Sequence, residues 1–90
     1  MEDKVKLLER ELKALSNRRR ILIITFLKSK KRATVGQISY HIKLSFKATS
    51  KHLSLLKNVG ILDFDQVSMN IFYRISDQNT KIAKNVIKLL

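Results

Sequence analysis

The sequence predicts a single α+β domain, mainly α, in which two helices joined by a tight turn precede a two-stranded β-hairpin and terminal helices flank the whole. Three observations carry this reading. Apolar residues recur at helical spacing through Val59; after Gly60 they alternate; after Asp77 the helical period returns. With 90 residues, 44% of them hydrophobic and none of them proline, the chain is too short for two cores and too apolar for disorder, so residues 1–90 read as one domain.

In the first segment Val5, Leu8, Leu12 and Leu15 recur at 3-4-3 spacing among charges, the pattern of an amphipathic helix over about Asp3–Leu15. Ser16-Asn17 offers an N-cap for a second helix, Arg18–Leu27, whose apolar residues run nearly all round and mark it as the hub of the core. Ser29-Lys30-Lys31-Arg32 is an exposed connection, and Ala33-Thr34-Val35 reads as a short strand before Gly36. Val35, Ile38 and Ile42 define a third helix. Lys43-Leu44-Ser45 makes a tight turn in which Ser45 caps a fourth helix from Phe46 to about Val59; Thr49, Leu53 and Leu56 line its inner face and Gly60 ends it. Two helices joined this closely form a helix-turn-helix. Leu62 and Phe64 then share one side of a strand, Ile71, Tyr73 and Ile75 one side of a second, and Val67–Asn70 connects them. This hairpin is the candidate wing. Asp77 is positioned to cap a last helix, about Gln78–Leu90.

Cysteine is absent, which removes disulfides, thiolate metal sites and thiol nucleophiles together. No stretch approaches the roughly 18 apolar residues of a membrane span, and Met1-Glu2-Asp3-Lys4 lacks the basic start of a secretion signal. The expectation is a soluble, cytoplasmic protein. The net charge of +12 is unevenly placed: between Asn17 and Asn58 there are eleven Lys and Arg residues and no acid, whereas charges nearly cancel on either side. Self-repulsion of that kind destabilises a fold unless a polyanion is the partner, so nucleic acid outweighs a merely solvated basic face.

The order of elements is that of a winged helix-turn-helix, and particular segments resemble the ArsR-type winged-helix repressors. Ala14-Leu15-Ser16-Asn17 with Arg20, Ile23, Ile24 and Leu27 is similar to that family's Ala-Leu-Ala-Asp-Pro-Thr-Arg segment and the Ile-Leu pair beyond it. Thr34-Val35-Gly36-Gln37-Ile38 resembles its Thr-Val-Gly-Glu-Leu entry to the helix-turn-helix. Most specific is the run from Leu44-Ser45 through Ser50-Lys51-His52-Leu53 to Gly60-Ile61-Leu62, and Ile71-Phe72-Tyr73-Arg74-Ile75 resembles the strand that closes the family's wing. The resemblance covers about Leu12–Ser76 and implies a homodimeric, duplex-DNA-binding transcriptional regulator acting as a repressor. Arg18 stands where the family usually has proline. There is no Cys-x-Cys motif, and the last helix lacks the Asp/His and His/Glu pairs of the family's other metal sites, so metal sensing does not carry over and no cofactor is expected. The wing segment Asp63–Asn70 holds two acids and no base, which leaves its contact with DNA open.

With Thr49, Leu53 and Leu56 turned inward, the outward arc of the fourth helix is Phe46, Lys47, Ser50, Lys51 and Ser54, the arc that would enter a major groove. Lys47, Ser50 and Lys51 are the candidates for base contact; Ser54 and Lys57 lie nearer the phosphates, joined by Lys43 and Ser45 at the turn. Arg18, Arg19, Lys31 and Arg32, with Arg20, Lys28 and Lys30, are candidates for backbone contact, although not all can face one duplex and Arg20 has a structural alternative on an acid or carbonyl. His41 and His52 sit on different helices without a third ligand, so packed, hydrogen-bonded roles outweigh metal ligation. Phe46 is balanced between touching DNA and packing, and Tyr40 and Tyr73 read as core-edge residues. The terminal helices carry more apolar surface than one small core needs, which places a two-fold interface at Val5, Leu8, Leu12, Val86 and Leu89, with intramolecular packing as the alternative.

An enzyme is the weakest functional class, because Asp63 and Asp65 lie on a hairpin without His, Cys or a phosphate-cradling loop and no catalytic or metal residue can be named. Two rivals remain: a protein that coats DNA without reading it, and a winged helix that docks onto protein.

Overall fold

The computed structural model describes residues 1–90 as α1 Glu2–Leu15, α2 Arg18–Lys30, α3 Val35–Ile42, α4 Phe46–Asn58, β1 Leu62–Val67, β2 Asn70–Ile75 and α5 Lys81–Leu89. Each helix but α1 starts on a side chain that the local sequence supplies. The Asn17 side chain accepts from Arg20 N–H, the Ser45 hydroxyl from Ala48 N–H and the Thr80 hydroxyl from Ala83 N–H, each filling an orphan donor of the first turn. Thr34 and Gln37 form a reciprocal capping box at α3: Gln37 N–H donates to the Thr34 hydroxyl at 3.2 Å, and Thr34 N–H to the Gln37 side-chain oxygen at 2.9 Å.

That box corrects one expectation. Ala33-Thr34-Val35 is not a strand, because Thr34 is committed to capping; only Ala33 pairs, exchanging backbone hydrogen bonds of 3.0 and 2.8 Å with Tyr73. A second correction concerns α5, which starts at Thr80 rather than on Asp77. The Asp77 carboxylate faces Arg74, and the intervening turn is tied down by buried Asn79, whose amide donates to the carbonyls of Ile61 and Ser76. The wing turn is also tighter than Val67–Asn70. Those two residues pair, leaving Ser68 and Met69 as the loop, with Ser68 in left-handed backbone at φ 59°. Helix α2 runs on to Lys30, since Lys28, Ser29 and Lys30 carry no helix breaker and the two lysines suit the negative end of its dipole.

The core is one cluster. Ile23, Ile24 and Leu27 of α2 meet Ile38 of α3, Leu53 and Leu56 of α4, and Ile61 and Leu62 at the start of the wing, all fully buried. Truncating one of these to alanine would cost about 2–5 kcal/mol. The hub is one-sided, however: Leu22 is exposed, and Ile21 and Phe26 are half-buried. The wing pairs Leu62 with Ile75 through Val67 with Asn70, and Gly60, at φ 84°, reverses the chain between α4 and β1 in a conformation that a side chain would strain. Helix α1 is anchored only at its end, where Ala14 and Leu15 are buried, and Glu11 accepts a hydrogen bond from Thr80. The rest of α1 lies on the surface with Val5, Leu8 and Leu12 uncovered.

Candidate nucleic-acid interface

The turn between α3 and α4 aims the charged arc. Lys43 adopts left-handed backbone at φ 56°, Leu44 N–H donates to the Ser39 carbonyl at 3.1 Å, and Ser45 is at once the end of the turn and the cap of α4. Thr49, Leu53 and Leu56 are buried, so Lys47, Lys51 and Ser54 stand exposed and Ser50 half-exposed on the opposite side. Phe46 belongs with them. It is 62% exposed, which removes the packing role weighed for it. The basic arc thus sits on a helix whose inner side is locked into the core.

Behind α4 stands a brace that no spacing rule announces. Arg20 donates from Nε to the Ala14 carbonyl at 2.7 Å and from Nη2 to the Lys13 carbonyl at 3.1 Å, and its Nη1 lies 3.2 Å from His52 Nδ1. Those carbonyls belong to the last turn of α1, where no intrahelical donor is left, so one guanidinium caps α1, joins it to α2 and reaches α4. For Nδ1 to accept, His52 must be neutral with its proton on Nε2. Burial, then Arg20, then Arg19 hold its pKa below the usual 6.5. His41 packs face to face on Phe26 with ring centroids 4.1 Å apart. No group of three or more His, Cys, Asp or Glu side chains comes together as a metal site would require.

The remaining cations divide. Arg18 and Lys31 are exposed, and Lys43 stands free at the turn. Arg19 instead donates to the Ile42 carbonyl at 3.3 Å, Lys28 to the Lys88 carbonyl at 3.2 Å, Arg32 lies 4.5 Å over the Phe72 ring and Lys57 5.1 Å over the Phe64 ring, so four of the expected phosphate contacts, besides Arg20, start from an intramolecular partner. The wing's one cation is fully engaged: Arg74 lies 2.9 Å from Asp65 and 3.8 Å from both Asp63 and Asp77. The Asp65 hydrogen bond, ahead of the three carboxylate charges, pushes the Arg74 pKa further above its ordinary value. The hairpin therefore presents carboxylates rather than a free positive charge. Tyr40, expected at the core edge, is 88% exposed on α3, because its position falls between the buried Ile38 and Ile42.

Two cations that sequence reasoning left out also face this surface. Arg10 and Lys13 of α1 line one side of a trough whose other side is α4, from Phe46 to Asn58. Charge counting concealed them, since α1 carries as many acids as bases. A helical wheel sets them apart from the apolar stripe, but nothing in the sequence says which element they meet.

The description "bacterial regulatory protein, arsR family" matches residues 17–63, the span from the cap of α2 into β1. Over 79 residues the chain is 34% identical to the HTH-type transcriptional regulator YgaV of Escherichia coli K12, covering 83% of this chain and 80% of that one. It is 33% identical over 70 residues to the transcriptional activator HlyU of Vibrio cholerae, covering 78% of this chain and 64% of that one. A solved structure of HlyU from V. cholerae N16961 superposes with a TM-score of 0.81 at 30% identity, covering 99% of this chain and 92% of that one.

Proposed function

Since the chain belongs to the arsR family of bacterial regulatory proteins, we propose that it is a transcriptional regulator that binds specific duplex DNA as a homodimer, with α4 in the major groove. The observation that carries the reading is the two-sidedness of α4. Its Thr49, Leu53 and Leu56 side is immobilised in the core while Lys47, Ser50, Lys51 and Ser54 point outward from a capped N-terminus. Lys47, Ser50 and Lys51 reach base edges; Ser54, Lys43 and Ser45, together with the exposed Arg18 and Lys31, follow the backbone. Arg19, Arg32 and Lys57 contribute positive field from their intramolecular positions. The acidic wing makes no phosphate contact of its own and opposes the duplex only through its field.

Pairing of two copies is supported by the uncovered stripe of α1 at Val5, Leu8 and Leu12, together with Leu89 of α5, which is 85% exposed; Val86 packs mainly on its own core. A two-fold assembly places the two recognition helices about one DNA turn apart and so requires a pseudo-palindromic operator. Occupying such an operator blocks transcription, the repressor mode. The protein acts inside the cell on DNA and has no catalytic role; no helix is long and apolar enough to cross a membrane.

The test is a salt titration of binding to a pool of random duplexes, with enriched sequences read at the end. A steep loss of affinity with salt together with a symmetric motif is the expected result. Salt dependence without any motif means a DNA coat, and no binding at low salt ends the DNA reading. Lys47→Ala with Lys51→Ala separates the third reading: a protein-docking module keeps its partner in that variant, whereas the regulator loses DNA.

A further inference from the structure

The trough between α1 and α4 is open to solvent and has a volume of about 890 Å³, the size of a small-ligand cleft. Its floor is apolar, formed by Phe46, Leu55 (38% exposed) and Val59. Its walls are cationic, with Arg10 and Lys13 on α1 facing Lys47 and Lys51 on α4; Lys13 is paired at 3.6 Å with Glu9, one turn back on α1, and Glu9 itself does not line the trough. Arg20 reaches its edge but is already committed to the Lys13 and Ala14 carbonyls.

Duplex DNA explains only half of this. Phosphates suit the walls, yet a recognition helix meets DNA through its N-terminal half, and Leu55 and Val59 lie at the other end of α4. An apolar floor between four cations matches a ligand with an apolar body and one negative charge. We propose that the α1–α4 trough is an effector site for an apolar carboxylate, such as a medium-chain fatty acid. Its chain lies along Phe46, Leu55 and Val59, and its carboxylate is paired by the cations of the walls.

The inference rests on the DNA-binding reading, because Lys47, Ser50 and Lys51 form both a side of the trough and the duplex-facing arc. A bound acid therefore takes the surface that DNA needs, and carboxylate and duplex exclude each other. The stripe through which two copies would pair does not line the trough. Around α1, Arg10 and Lys13 stand roughly 140° from the stripe of Val5, Leu8 and Leu12, given 3.6 residues per turn.

The experiment titrates the full chain with decanoate below its micelle concentration, following backbone amide shifts without DNA and, separately, release from a labelled duplex. Butyrate supplies the charge without the chain, and decanol the chain without the charge. Decanoate is expected to shift the amides around Arg10, Lys13, Lys51 and Leu55 and to weaken duplex binding by about tenfold, with butyrate and decanol inert. Leu55→Gln, a neutral polar change at an exposed position outside the DNA-contacting set, is expected to keep duplex binding and lose the decanoate response; Arg10→Ala is expected to blunt that response.

Equal action by butyrate overturns the proposal in favour of general anion competition, and dissociation of the dimer by decanoate, seen by sedimentation, overturns it in favour of an interface. So does an inert decanoate combined with loss of duplex binding in Arg10→Ala/Lys13→Ala, which assigns the walls to the DNA backbone. Should the parent protein bind no DNA at all, the regulator reading fails, while the amide titration still judges the carboxylate site.

Discussion

Arg20→Met keeps the length of the aliphatic stem and removes the guanidinium, and with it three hydrogen bonds. Two are partly buried, Nε to the Ala14 carbonyl and Nη1 to His52, and the third, Nη2 to the Lys13 carbonyl, is exposed. At about 1 kcal/mol for each of the first two and about half that for the exposed one, the loss is about 2.5 kcal/mol. Against the roughly 5–13 kcal/mol of a domain this size, that is a large share of total stability. Thermal unfolding followed by circular dichroism should show the midpoint fall by roughly 10–20 °C, at about 4–8 °C per kcal/mol for a small domain. Arg20→Lys, with a single ammonium in place of the fork, should recover only part of this. A second readout is independent of stability: with Arg20 gone, the second of the causes that depress His52 is removed, and the His52 pKa measured by NMR should rise. A Met variant that melts within about 4 °C of the parent would show that the bracket between α1, α2 and α4 is decorative, and the reasoning would be wrong.

His52 itself makes stability pH-dependent. Its folded pKa lies below 6.5, so between that value and 6.5 the unfolded chain binds the extra proton; stability is full above 6.5 and declines as pH falls through the folded pKa, and His52→Gln should flatten the curve in urea melts. Thr49→Val should stabilise the fold by about 1 kcal/mol in the same assay, because the Thr49 hydroxyl is buried without a hydrogen-bond partner and its removal breaks nothing. Asp65→Asn should free Arg74 from its shortest ion pair and strengthen duplex binding at low salt by a few-fold, measured by fluorescence anisotropy; unchanged affinity would place the wing outside the reach of DNA. Leu12→Glu should turn a dimer into a monomer in sedimentation while the fold, to which the exposed Leu12 contributes little, stays intact.

Much of this molecule could be read from residue order, because the relevant forces are local. Ser45 caps α4 through its own third neighbour, Thr49, Leu53 and Leu56 share a side by helical period, and Gly60 tolerates a backbone that other residues resist. The outward placement of Lys47, Ser50 and Lys51 follows from these facts alone. The errors fell where two local signals competed. Thr34 fits a strand or a cap, and the Thr-x-x-Gln signature that decides between them was present. Asp77 and Thr80 are both good caps, and the turn that the Asn79 amide holds against the Ile61 and Ser76 carbonyls leaves Thr80 to start the helix.

What residue order cannot express is which side chains from distant segments end up facing each other. Eleven cations in an acid-free span announce a polyanion partner, yet only the packed structure shows that Arg19, Arg32 and Lys57 start on a carbonyl and two aromatic rings, that Arg74 is surrounded by three carboxylates, and that Arg10 and Lys13 stand across a trough from α4. Capping and periodicity act over three or four residues, and so leave their mark in the order of the chain. Pairings across dozens of residues depend on how helices are set against one another in three dimensions, and that setting is decided by the shape of the shared core around Ile23, Ile38 and Leu53.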